Sequence, residues 1–225
     1  MSDLKIVSVV NDFEIFNRCI ANNEYLKNFE IVCYDNTVEN IGISKRYNAF
    51  IDTLDVKDDF WVVFLHQDFI FNENPLPLLQ NLDKNCLYGA VGLIKPLFYM
   101  RFKPKFIFKI ARRCTLGQIF EGENGRIVGN RVSGNPIVNT IDCCCLIMHS
   151  SLLRKGKLRF DENLCFHMYV EDMCYAAKQQ GILSKIVQFD CRHLSHGNMG
   201  EELDKSADYV KSKYNIREIN STCYK

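Results

Sequence analysis

Residues able to do chemistry gather at a few points in this chain. His66, Gln67 and Asp68 interrupt an apolar run, with Phe60-Trp-Val-Val-Phe-Leu65 before them and Phe69-Ile-Phe71 after. Asp35 and Asn36 close a second apolar run, Phe29–Tyr34. Asp142 lies within Ile137–Met148, Glu171 and Asp172 stand side by side, and His193 and His196 follow a run that ends at Phe189. Carboxylates and imidazoles in this mixture can ligate a divalent cation, take a proton from a hydroxyl, or hydrogen-bond a ligand rich in hydroxyls. No Gly-x-Gly-x-x-Gly or Gly-x-x-x-x-Gly-Lys-Ser/Thr loop is present to cradle a phosphate. A metal held by a carboxylate is the natural substitute.

The elements that would position these residues follow from hydrophobic patterning. Phe60–Phe71 is aromatic and β-branched, lacks helical spacing and is followed by Pro75 and Pro77, so it reads as a strand buried on both faces. Polar residues at the carboxyl end of such a strand mark the edge where open α/β sheets bind ligands, with a merely polar surface turn as the plain alternative. Leu4–Val10 reads as a strand, Glu14–Leu26 as a helix with Asp12 as cap, and Ile43–Leu54 as a helix with Tyr47, Phe50, Ile51 and Leu54 on one side. This alternation predicts a parallel sheet whose right-handed crossovers bring Asp35-Asn36 and His66–Asp68 to one edge. Further on, Cys86–Ile94, Ile137–Met148 and Ile182–Phe189 read as strands. Helices are expected from Glu171 to Gly181 and along Leu203–Tyr214. Acids in a first helical turn suit the helix dipole, which is the plain reading of Asp172.

Composition narrows the field. A chain of 225 residues with 47% hydrophobic and 12% aromatic content can build one sizeable core. The net charge of +1 supplies no global field for nucleic acid. No apolar run is long enough to cross a bilayer, and Met1–Lys5 lacks the features of a secretory leader, so a cytoplasmic chain is expected. Eleven cysteines are an odd number without a zinc-knuckle pattern; free thiols are expected, with Cys143, Cys144 and Cys145 as small buried hydrophobes. From Lys84 to Phe120 there are eight basic residues and no acid, interleaved with Phe98, Phe102, Phe106 and Phe108. Residues 95–113 therefore fit peripheral contact with an anionic membrane surface, or a long loop whose aromatics fold back.

Four patches occur in order: Val7-Ser-Val-Val-Asn11; Ile31-Val-Cys-Tyr-Asp-Asn36 with Lys45-Arg-Tyr-Asn-Ala49; Val63-Phe-Leu-His-Gln-Asp68; and Phe160-Asp-Glu162 with Val170-Glu-Asp172 and Gly181. Together, over roughly residues 4–200, they resemble bacterial glycosyltransferases of the family 2 type, in the branch with a His-Gln-Asp form of the Asp-x-Asp motif. The resemblance implies an α/β GT-A fold with a mixed, mostly parallel sheet flanked by helices. It implies one domain over 1–225, with a nucleotide-binding half (1–94), an acceptor half (95–200) and a C-terminal helix (201–225). It also implies an inverting, hexosyltransferase-like enzyme using Mn²⁺ or Mg²⁺, a nucleotide-diphosphate sugar and a saccharide or lipid-linked acceptor. Surface polysaccharide or glycoconjugate synthesis, at the inner face of the membrane, would be its setting.

Carried over by position, the resemblance implies that Val10, Asn11, Asp35, Arg46, His66, Gln67 and Asp142 bind the nucleotide sugar. Asp68 would ligate the metal, with His193 or His196 completing the site, and Asp172 would be the general base. His66 stands where many relatives have the first aspartate. Two other readings follow from the same residues. A nucleotidyltransferase would show a glycine-rich loop, which Val10-Asn-Asp-Phe-Glu14 lacks. A catalytically silent nucleotide-sugar-binding or scaffold protein is the other, suggested by His66.

Overall fold

A computed structural model describes residues 3–94, 115–154, 157–195 and 200–222. The basic stretch 95–113 and His196 lie outside the described residues. Three strands, β1 (Leu4–Val10), β2 (Glu30–Asp35) and β3 (Trp61–Leu65), run parallel with β1 in the middle. Between the first two, α1 (Phe13–Phe16) is capped by Asp12, whose carboxylate accepts the N–H groups of Glu14 and Ile15, and continues as a π-helical turn over Asn17–Ala21. The helix expected to reach Leu26 stops there because Asn23 turns inward and donates to the carbonyls of Phe71, at 2.9 Å, and Cys19, at 3.2 Å. Between β2 and β3 lies α2 (Ile43–Ile51).

The expected strand Phe60–Phe71 is two strands in two sheets. After β3 the chain turns over His66–Asp68, the Phe69 N–H donating to the His66 carbonyl at 3.1 Å, and continues as β4 (Phe69–Phe71) in the second sheet. Apolar content is continuous across the turn because both strands are buried, so hydropathy does not reveal the corner. After α3 (Leu76–Leu79), the expected strand Cys86–Ile94 divides likewise into β5 (Cys86–Gly89) and β6 (Gly92–Leu93). A hairpin of β7 (Thr115–Glu121) and β8 (Arg126–Asn130) follows. The strand expected over Ile137–Met148 is three pieces, β9 (Ile137–Val138), β10 (Thr140–Ile141) and β11 (Cys145–His149), with Asp142 in the corner before β11. The chain ends with α4 (Ser150–Leu153), α5 (Tyr169–Gln179), β12 (Leu183–Ile186), β13 (Cys191–His193) and α6 (Glu201–Tyr214).

Among the described residues the first sheet has the order β2-β1-β3-β11-β5-β12-β9, mixed in direction. The second has the order β10-β6-β7-β13-β4, with β8 on β7. The alternation along β3 explains why the first sheet is central. Val62 and Phe64 enter a core built with α2, α5 and α6, while Trp61, Val63 and Leu65 enter another built with the π-helical turn and the second sheet. Each such side chain removed from water contributes roughly 1.5–3 kcal/mol. Gly117 (φ 84°) allows the bulge that carries β7 against the Ala90 carbonyl, where a Cβ would stand 2.0 Å from the oxygen. The expected free thiols are found as such for the nine described cysteines, with Cys143, Cys144 and Cys145 buried.

Candidate active site

The sheet switch between β3 and β4 builds the site. β4 pairs antiparallel with β13, Phe69 opposite His193, so the strand register itself delivers His193 to the His66–Asp68 turn. Leu194 N–H then donates to the Asp68 carbonyl at 3.0 Å, and Ser195 N–H donates to Asp68 Oδ2 at 3.0 Å. His193 Nε2 lies 3.2 Å from Asp68 Oδ1 and 3.4 Å from His66 Nδ1. One ligating atom from each of His66, Asp68 and His193 lies within 4.8 Å of the others.

Second contacts orient these groups. The Tyr169 hydroxyl donates to the Cys143 carbonyl at 3.0 Å, so toward His66 Nε2, 2.9 Å away, it can only accept. His66 therefore carries its proton on Nε2 and turns the Nδ1 lone pair toward His193 and Asp68. That is the arrangement in which a histidine serves as a metal ligand while its other nitrogen donates outward. Burial and the neighbouring His193 push His66 down to about 4, which keeps it neutral. Burial works against the charge of Asp68, yet hydrogen bonding and attraction from His193 outweigh it and hold the carboxyl well below its usual range. Burial likewise opposes protonation of His193, and Asp68 outweighs it in turn, raising His193.

These groups line a cavity of about 860 Å³ at the carboxyl ends of β1 and β3. Of the residues expected at the site, Asn11, His66, Gln67, Asp68, Asp142 and His193 line it. Gln67 is spent on structure: its Oε1 accepts the N–H groups of Asn11 and Asp12 at 2.9 and 3.0 Å, and its Nε2 donates to Asn11 Oδ1. Val10 faces the core, and alternation places Val9 on the cavity instead. Asp35 and Arg46 stand beside one another off the cavity wall. The Asp35 carboxylate accepts from Thr37, while Arg46 donates to Asn36 Oδ1 and the Asp35 carbonyl, leaving Asn36 to line the space.

The acids of α5 are placed differently from expectation. Met168, at φ 62°, brings the chain abruptly into the helix and sets its rotation. Glu171 consequently lines the cavity, while Asp172 is turned toward α6 and accepts from Lys213 Nζ at 2.7 Å. Burial raises Asp172 despite Lys213, and raises Glu171 to about 7 despite hydrogen bonds from Ser221 and Cys143. Asp142 is half-buried, accepting from Cys144 N–H and the Thr222 hydroxyl. Against burial, these contacts and the charge of His193 hold it below its usual range. Patterning had not singled out Tyr169, Arg126, Ser221 or Thr222. Only Glu171 carried a signal, its adjacency to Asp172.

No protein-family model matches the sequence, and no curated protein matches it. Among solved structures the fold is similar to a crystal structure of GalNAc-T7 with UDP, GalNAc and Mn²⁺, with a TM-score of 0.60 at 10% identity. That match covers 94% of this chain and 48% of the other, so the chain spans about half its length. It is similar also to a crystal structure of S. aureus TarS 1-349, with a TM-score of 0.50 at 12% identity, covering 96% of this chain and 66% of that one. Likeness at these identities shows the fold, and the fold is of the GT-A type shared by these glycosyltransferases. Among the described residues no helix is long and apolar enough to cross a membrane.

Proposed function

We propose that the chain is an inverting, metal-dependent glycosyltransferase that moves a sugar from a nucleotide diphosphate to a hydroxyl of a saccharide or lipid-linked acceptor. The observation that carries this reading is the convergence of His66, Asp68 and His193 on one wall of the cavity. Two imidazoles and a carboxylate suit Mn²⁺ better than Mg²⁺, which prefers an all-oxygen shell. A divalent ion held there would neutralise charge on the departing diphosphate. The cavity's own charge supports the same reading. Asp68, Glu121, Asp142, Glu171 and Glu202 line it, against Arg126 as the one lysine or arginine among the described lining residues. Arg126 is itself paired with Glu121 at 2.6 Å. A diphosphate entering such a space requires added positive charge.

The remaining roles fall to residues of the chain. Asn11 and Asn36 offer amides at the nucleotide end of the cavity. Glu171, on the cavity and raised to about 7, is suited to take the proton of an attacking hydroxyl near neutral pH. The acceptor's proton moves to the Glu171 carboxylate as its oxygen bonds to the anomeric carbon, and the nucleotide diphosphate departs from the opposite face. Asp172, which the resemblance had marked as base, instead orients α6 through Lys213 in this proposal. Nucleotide release should be measured with UDP-, GDP- and dTDP-sugars, with Mn²⁺, with Mg²⁺ and with chelator. Release that requires metal and favours Mn²⁺ is expected. Absence of release from every donor in every metal, with Mn²⁺ failing to bind, would overturn the assignment.

A further inference from the structure

Three acids, Asp142 in the corner before β11 and Glu171 and Asp172 on α5, are met by one C-terminal segment. Lys213, near the end of α6, holds Asp172. Beyond α6, the Ser221 hydroxyl donates to Glu171 Oε1 and the Thr222 hydroxyl to Asp142 Oδ2. The strap is seated: the Thr140 hydroxyl donates to the Asn220 carbonyl at 2.7 Å, and Ile219 is buried in the core shared with α5 and α6. Thr222 also lines the cavity alongside Asp142 and Glu171.

Two hydroxyls, on adjacent residues, thus meet two carboxylates that line a cavity read as a sugar site, Thr222 from the cavity itself and Ser221 from a buried position beside it. A saccharide offers the same groups: hydroxyl donors on neighbouring carbons, for which carboxylates are the strongest acceptors. We infer that Ser221 and Thr222 are internal stand-ins for substrate hydroxyls, so that the C-terminal strap occupies the saccharide subsite and must be displaced for sugar to bind. This rests on the glycosyltransferase reading. Thr222 holds the place of a donor-sugar hydroxyl on Asp142, and Ser221 that of the acceptor hydroxyl on Glu171. The nucleotide end of the cavity, at Asn11, Asn36 and the His66–Asp68 turn, is left clear of the strap. Leaving a buried carboxylate without a donor is costly, so strap and saccharide exchange rather than bind together.

The test compares the native chain with a Ser221→Ala/Thr222→Val double variant by calorimetry in Mn²⁺. The probes are UDP, GDP and dTDP and the glucose, galactose and N-acetylhexosamine conjugates available for each. Bare nucleotide should bind both proteins alike. The preference for a sugar nucleotide over its bare nucleotide should rise tenfold or more in the variant. An unchanged preference with normal nucleotide binding overturns the strap alone, whereas failure of every nucleotide to bind either protein overturns the nucleotide-sugar reading and the strap with it. Should the variant fold poorly, amide hydrogen exchange on the native chain decides. Residues 219–222 should exchange faster with sugar nucleotide than with bare nucleotide, and equal rates overturn the inference.

Discussion

Replacing Glu171 by Gln should stabilise the protein, and only above acidic pH. Glu171 is wholly buried, and burial raises it from the ordinary 4.5 to about 7, although Ser221 and Cys143 donate to it; the charge of Asp142 adds to the rise. A carboxyl whose folded value is raised contributes stability that is complete below about 4.5 and is lost as pH climbs through about 7. At about 1.4 kcal/mol per pH unit, the gap amounts to about 3 kcal/mol. Gln matches the protonated carboxyl in shape and cannot ionise. The two proteins should therefore be nearly equal in stability near pH 4.5, and Glu171→Gln should lead by about 3 kcal/mol near pH 8. His66, lowered to about 4, titrates in the opposite sense across part of this range, so the native curve alone would mix the two. Subtracting the curves removes that contribution. Urea unfolding followed through Trp61, the single tryptophan and a buried one, provides the readout at several pH values. A difference that stays constant from pH 4.5 to 8 would refute the reasoning.

Other perturbations separate the roles assigned above. Asp68→Asn should abolish the Mn²⁺ dependence of UDP binding measured by calorimetry while the far-UV spectrum stays native; undiminished metal-dependent affinity would remove Asp68 from the site. Asp172→Asn should keep turnover within about tenfold of native, whereas Glu171→Gln should lose about 10²–10⁴, the usual range for a general base. The reverse ranking in steady-state rates would return the base to Asp172. The stretch 95–113 should give weak, salt-sensitive sedimentation with anionic vesicles, since each basic residue near such a surface contributes roughly 1 kcal/mol. Equal sedimentation with neutral lipid at low salt would dismiss it.

Much of this arrangement was legible in the sequence for a physical reason. The β1 and β3 strands are continuous apolar runs because the middle of the sheet is buried on both faces, while β2, an outer strand, is half-exposed and apolar only over its interior; their order with intervening helices identifies the ligand-binding edge of the sheet. Asp68 stood out because it closes a buried run at such an edge, whereas His193 was named, with His196 as its alternative, only through the family resemblance. Corners were not legible. Asp142 reads as part of a strand because Ile141 and Cys143 on either side of it are as buried as strand residues. Glu171 and Asp172 differ by a single step of about 100° around a helix, and the left-handed Met168 decides which of them meets the cavity. The hydroxyls of Ser221 and Thr222 have no pattern of their own; they matter through partners 50 and 80 residues away.

The three residues of the His-Gln-Asp turn carry three separate tasks, and their order is set by the change of sheet. Asp68 precedes β4 directly, so its backbone carbonyl takes part in the pairing with β13 and its carboxylate meets whatever that strand presents. A slip of β4 by one residue would carry His193 away from Asp68 and reverse the faces of the strand. Gln67 resists this by binding the β1–α1 corner through both ends of its amide, which ties the turn to the first sheet while β13 ties it to the second. His66 is the first residue off β3, close enough to α5 for Tyr169 to fix its tautomer. An aspartate at position 66 would leave Tyr169 without its imidazole donor and place a second carboxylate beside Asp68. It would also change the donor set from two nitrogens and one oxygen to one nitrogen and two oxygens. His66→Asp should consequently shift metal preference from Mn²⁺ toward Mg²⁺ in the nucleotide-binding assay. A variant that binds UDP with the same Mn²⁺-over-Mg²⁺ ratio as the native chain would show that His66 does not contribute to the ligand set.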